Sequence, residues 1–201
     1  MKRLVLSLAL VSIAFGTSAT KLMPVAIDEL FAAADVVAIV QITEGLVIRS
    51  GTTECGAKYR AQVIDVVKGA SREISIEFGR SEGYEIGTRY LIFLAADGKR
   101  FDALASTNSD AIRAGYAYEK KCSSKWPRLN LVHSGTSAFR IAWYEDKWKS
   151  SRAAFIRPDI VDIPEAGYGA TTEKHAYPTY DGSVYVPLDD LVTYLNKVIR
   201  K

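Results

Sequence analysis

The chain has 201 residues and a formal net charge of +3, a length that buries a real core in one large domain or in one domain with an extension. Lys2 and Arg3 supply two of those positive charges at the extreme amino terminus. The remainder is therefore close to neutral, which argues against nucleic acid as a partner.

Those two cations open an export signal. Residues 4–15 are apolar apart from Ser7 and Ser12, and Gly16-Thr17-Ser18-Ala19 places small residues where a signal peptidase reads them. Cleavage is expected after Ala19, with one residue later as the alternative. The apolar core falls short of the ~20 residues that a membrane span needs. No cysteine follows it for lipid attachment, and no later run is long and apolar enough to anchor the chain in a membrane. Residues 1–19 are thus read as a signal peptide, and the protein as periplasmic or secreted. In an oxidising compartment the two cysteines, Cys55 and Cys122, are expected to pair; two unpaired thiols are the alternative.

Residues 21–26 read as a short extended leader with Pro24. Asp28 is placed to cap a short helix through Leu30, Phe31 and Ala34, ended by Asp35. VVAIVQITEGLVI (36–48) is rich in β-branched residues and reads as a long strand bent at Gly45. Residues 50–57, with Gly51, Cys55 and Gly56, read as a polar loop. The densest strand-type sequence runs from Tyr59 to Leu104. YRAQVIDVVKG (59–69) has one wet face. Ile74, Ile76 and Phe78 alternate with Ser75 and Glu77, and Tyr90 to Leu94 is apolar on both faces and reads as central. Asp97-Gly98 is a two-residue hairpin signal before FDAL (101–104).

Asn108-Ser109-Asp110 offers caps for a helical segment through Ala111, Ile112, Ala114 and Tyr118, which Gly115 weakens. Lys120, Lys121, Cys122 and Lys125 follow in an expected loop. Strands are expected at 129–133, 137–144 and 148–156, the last two joined by a turn at Glu145-Asp146-Lys147. Residues 159–178 read mainly as loop, Asp181-Gly182 as a turn, and 184–186 as a strand. Pro187 opens a last helix in which Leu188, Leu191, Val192, Leu195, Val198 and Ile199 make one apolar stripe. Asp189 and Asp190 in its first turn, with Lys197, Arg200 and Lys201 in its last, suit the helix dipole.

The order of helix, long strand, cysteine loop, strand ending in Lys-Gly, strand, and Gly-x-x-Tyr-Leu strand resembles the OB-fold domain of tissue inhibitors of metalloproteinases. More closely, it is similar to bacterial exported proteins with a TIMP-like or netrin-like domain. The residues that carry the resemblance are Ala34-Asp35-Val36-Val37, Ala61-Gln62-Val63 with Val67-Lys68-Gly69, and Gly87-Thr88-Arg89-Tyr90-Leu91. It covers about half the chain, roughly Asp28 to Cys122, and implies an OB-like barrel. The inhibitors present an amino-terminal cysteine to the protease zinc. Here the expected start is Thr20-Lys21-Leu22, with no cysteine before Cys55. The resemblance therefore implies a fold and not the inhibitory mechanism.

Catalytic signals are sparse. His133 lies beside Ser134 and near Ser137, but Gly135-Thr136-Ser137-Ala138 lacks the second glycine of a nucleophile elbow. His175 has no neighbouring ligands at zinc spacings. Asp189-Asp190 is explained by the helix dipole and Glu145-Asp146 by a turn. No phosphate-loop pattern is present, and no cofactor or metal is expected. The surface-like feature is aromatic and basic. Trp143, Tyr144 and Trp148 flank a turn with Lys147, Lys149 and Arg152, and Trp126 sits between Lys125 and Arg128. Flat aromatics beside cations suit stacking on sugars or anionic polymers; packing in the core is the alternative, because strand aromatics commonly do that.

The sequence thus predicts a mainly β protein. It has an OB-like five-stranded barrel in residues 20–125, and a 126–201 β extension with a C-terminal amphipathic helix packed on the same body. The expected function is a non-catalytic exported binding module whose partner is an envelope protein or a polysaccharide. Its surface is Trp143, Tyr144, Lys147, Trp148 and Lys149. A protease inhibitor working through a surface without the amino-terminal cysteine, and a Ser/His hydrolase, are the alternatives.

Overall fold

A computed structural model describes residues 24–69, 74–79, 83–96, 117–118, 120–132, 137–146, 149–158, 160–164 and 184–198, with backbone alone for 144–146 and 149–151. The expected signal peptide (residues 1–19), the Asp97-Gly98 hairpin, the 101–104 strand and the Asp181-Gly182 turn lie outside the described residues.

The chain is mainly β, built on a closed five-stranded barrel. Strands β2 (Val36–Ser50), β3 (Thr53–Lys68), β4 (Ser75–Gly79), β5 (Arg89–Ala96) and β6 (Leu129–Leu131) form the ring β2-β3-β4-β6-β5. All its pairings are antiparallel except β4 with β6. This is OB-like connectivity, and closure removes the exposed strand edges that invite aggregation. The ring closes on β6, beyond residue 125. At that seam Phe78 pairs Leu129 and Gly79 pairs Asn130. A Cβ on Gly79 would stand 2.8 Å from Pro127 Cδ and 2.9 Å from the Ala57 carbonyl, so the close approach requires glycine.

The sheet does not stop at the barrel. Strand β5 also pairs β7 (Ala138–Asp146), which pairs β8 (Lys149–Ile156), which pairs β10 (Val184–Pro187), all antiparallel. Period-two alternation on β2 and β5 therefore feeds two cores. Ala38, Val40, Ile42, Tyr90, Ile92 and Leu94 point into the barrel with Tyr59 and Phe78. Val37, Ile39, Leu91 and Phe93 point the other way, into a larger core with residues of β7, β8 and β10. The expectation that 90–94 is central and apolar on both faces holds for this reason.

Helix α1 (Ile27–Ala33) and the C-terminal helix α2 (Leu188–Val198) cover that larger core. The stripe of α2 docks through Leu188, Leu191 and Leu195, all buried. Asp28 does not cap α1. The cap position is Ala26, which makes no side-chain bond. Asp28 instead accepts from the Tyr194 hydroxyl of α2 at 2.8 and 2.9 Å. Short parallel strands β1 (Val25–Ala26) and β9 (Val161–Asp162) tie the amino end to the stretch read mainly as loop.

Several local expectations change. Residues 53–57 are strand, not loop: β2 and β3 form one long hairpin through a turn at Gly51-Thr52, with Ser50 opposite Thr53 and Arg49 opposite Glu54. Polar side chains are compatible with pairing there because that end of the hairpin extends past β5, whose pairing with β2 stops at Gln41. Residues 120–122 are helical and run into a 3-10 turn at Ser123–Lys125 in place of a loop. Strand β7 continues through Glu145 and Asp146, with Asp146 opposite Lys149, so those carboxylates end a strand instead of forming the turn.

Cys55 and Cys122 are joined, with Cα atoms 5.4 Å apart. The bridge fastens the far end of the hairpin to the connection between β5 and β6. Around it lie Ile48 and Trp126, and Lys121 donates to the Thr53 hydroxyl.

Candidate functional site

The three motifs of the family resemblance have structural work to do. Asp35 donates its N–H to Leu94 O at 2.8 Å and accepts from Ala96 N at 2.9 Å, fixing the start of β2 against β5. Lys68 reaches back over the Phe31 ring, 4.9 Å from its centroid, and donates to Phe31 O at 2.5 Å and Ala32 O at 3.3 Å. It satisfies carbonyls that a helix carboxyl end leaves orphaned. Gly69 follows at φ +90°, with Asp35 O only 2.5 Å from where a Cβ would lie. In the third motif, Gly87 donates to Ile42 O at 2.7 Å and accepts from Gln41 Nε2 at 2.9 Å. Asp35, Lys68, Gly69 and Gly87 thus hold the barrel and α1 together through contacts within the chain.

Two surfaces compete for a binding role. On OB folds, the outer face of the second and third barrel strands is a common ligand platform; here it is β3 and β4. An open groove of about 320 Å³ lies there between Glu44, Leu46, Lys58, Arg60 and Glu77. Its charges are mutually satisfied. Arg60 lies 3.0 Å from Glu77 and 3.2 Å from Glu44, and Lys58 lies 3.8 Å from Glu77. The hydrogen bond to Glu77 and the charge of Glu44 push the guanidinium pKa further up. A ligand has to displace these partners, and no exposed aromatic ring stands among them.

The second surface is on the extension. Trp143 is 66% exposed on β7. The same face of that strand carries Phe139 and Ile141, both in the larger core, so Trp143 stands where the core runs out. Directly opposite, on β8, is Arg152. Its guanidinium is held 3.2 Å from Asp189 in the first turn of α2. On the other side, β5 places Arg89 opposite Ile141, hence diagonal to Trp143 on one face. Arg89 is exposed, and among the described residues it makes no ion pair or side-chain hydrogen bond. The row is therefore an unpaired guanidinium, an indole, and a tethered guanidinium. Arg140 belongs to the reverse face of β7 and pairs with Glu85 at 3.2 Å.

Of the expected surface, Trp143 is solvent-facing as required. The side chains of Tyr144, Lys147, Trp148 and Lys149 lie outside the described residues. Trp126 takes the core-packing alternative: it is 8% exposed, its indole N–H donates to Cys55 O at 2.8 Å, and it packs beside the disulfide. Arg89 was not legible as a site residue, because it opens a strand that reads as core. The pairing of β5 with β7, far apart in sequence, is what brings it beside Trp143.

Of the hydrolase candidates, Ser137 is 0% exposed and its carbonyl accepts from Phe93 N at 2.9 Å, so it offers no accessible nucleophile. His133, Ser134 and His175 lie outside the described residues. Among the described residues no cluster of three or more His, Cys, Asp or Glu is arranged to hold a metal ion, and no helix is long and apolar enough to cross a membrane. The chain matches no family model and no curated protein.

Proposed function

We propose that this protein is an exported, non-catalytic binding module of the periplasm or cell envelope whose partner is a polysaccharide, held on the Trp143 face. The observation that carries this reading is a tryptophan two-thirds exposed on a strand that pairs β8 at Trp143 itself and β5 as far as Ile141. A flat ring on a rigid strand is a pre-ordered stacking platform that loses little conformational entropy on binding. Export is supported by the leader-like residues 1–19 and by the cysteine pair, which belongs to an oxidising compartment. The likeness to TIMP-like exported proteins is proposed as one of fold, resting on the barrel and the three structural motifs.

The test is retention of purified protein on a panel of immobilised polysaccharides, with Trp143→Ala alongside. Trp143 is mostly solvated, so its removal is expected to shift the unfolding free energy by no more than about 0.5 kcal/mol. Binding is expected to weaken more than about tenfold, as for a central aromatic anchor. Retention of wild type by none of the polymers, or equal retention of wild type and variant, overturns the proposal.

A further inference from the structure

The Trp143 row also carries information about charge. Resting on the polysaccharide reading above, we infer that the ligand is an acidic sugar chain and that Arg89 receives its anionic group. Three guanidinium groups lie on or near this part of the sheet, and two are already occupied. Arg152 is bound to Asp189 and Arg140 to Glu85, each at 3.2 Å. Arg89 alone of the three is exposed without a partner among the described residues.

Register fixes where that charge sits. Arg89 opposes Ile141, and Trp143 is two residues further along the same face. Diagonal neighbours of this kind lie about 7–8 Å apart, within reach of long and aromatic side chains. A sugar ring stacked on Trp143 would therefore carry its substituents toward Arg89. The planar guanidinium fork matches a carboxylate with two parallel hydrogen bonds, which a neutral hydroxyl cannot accept as strongly. Arg152 serves differently. With its charge matched by Asp189, it frames the other side of the ring without adding net attraction. Arg89 is thus a specificity residue and Trp143 the platform.

Affinity electrophoresis separates the two roles. Purified protein is run through gels containing polygalacturonate, neutral dextran or polyglutamate, and compared with Arg89→Gln and with Arg140→Gln. The second variant removes an exposed arginine from the reverse face of the neighbouring strand. Wild type is expected to bind polygalacturonate about tenfold more tightly than dextran. Arg89→Gln is expected to lose that preference while keeping its dextran affinity, and Arg140→Gln to behave as wild type. Equal preference in wild type and Arg89→Gln overturns the assignment of Arg89. Equal binding of dextran and polygalacturonate by wild type overturns the acidic ligand while leaving the polysaccharide reading standing. Binding of polyglutamate as tight as polygalacturonate overturns the sugar requirement. Retention by none of the gels overturns both readings together.

Discussion

Lys68 and Gly69 show how two residues set the junction of α1, β2 and β3. The lysine caps the carboxyl end of α1, and the glycine lets β3 leave past Asp35 at a distance that no Cβ tolerates. Gly69→Ala therefore combines a left-handed backbone with a contact of 2.5 Å to a carbonyl oxygen. We expect a loss of at least about 2 kcal/mol, read as a lowered midpoint in urea with an unchanged m-value. A loss under about 0.5 kcal/mol, the range of an ordinary surface substitution, would show that the close approach is dispensable.

Tyr194 carries a pH signature. Burial and the hydrogen bond to Asp28 push its pKa from 10.0 up to about 12. The folded state thus holds the phenol proton more tightly than the unfolded state does. The stabilisation is complete below pH 10 and is lost as pH rises from 10 towards 12. At about 1–2 kcal/mol after allowance for solvent screening, it is measurable as the difference between wild type and Tyr194→Phe. That difference should shrink across this window, and one that stays constant with pH removes the link to Asp28. The sequence invited a simpler role for Asp28, because an acid near a helix start reads as a cap. Its actual partner lies 166 residues away, and no local pattern announces it.

Among the elements, the β2–β3 hairpin departs furthest from what its composition suggests. Its far half contains Gly51, Thr52, Thr53, Glu54 and Gly56, a composition that reads as loop. The disulfide and Trp126 nonetheless hold it as paired strand. The bridge closes a separation of 67 residues, for which the chain-entropy model gives roughly 4 kcal/mol. Replacing Cys55 and Cys122 together by alanine is expected to cost about 2–4 kcal/mol, measured by thermal or urea unfolding. Hydrogen exchange should then rise first in residues 46–57. Faster exchange in β5 than in the hairpin would place the bridge's effect elsewhere. By contrast β4, β5 and α2 were legible nearly residue by residue. β4 and α2 each bury one regular stripe, which is what periodicity reports, and β5 is a continuous apolar run buried on both faces.

For the whole molecule, the decisive fact is that β5 belongs to the barrel and to the extension at once. The two cores lie on opposite faces of β2 and β5, so neither forms without the other. We expect one cooperative unfolding transition, with tryptophan emission and far-ultraviolet circular dichroism superimposing. A fragment ending at residue 125 lacks β6 and the β7–β8 cover, and is expected to show no near-ultraviolet dichroism. Two separated transitions, or a folded fragment, would instead divide the chain near that point. The longer apolar strands were readable from composition, but the sheet order was not, because register between distant strands is set by tertiary packing. The site inherits that limit. Trp143 announces itself beside a turn rich in cations, whereas Arg89 becomes its neighbour only through β5–β7 pairing.

The claim that Trp143 is the contact platform is tested most directly by hydroxyl-radical footprinting of the purified protein, with and without polygalacturonate, read by mass spectrometry. Trp143 is expected to oxidise readily in the free protein and to be protected when the polymer is added, while buried Trp126 stays unreactive in both samples. Oxidation of Trp143 that is unchanged by saturating polymer, or a Trp143 already unreactive in the free protein, would contradict the account.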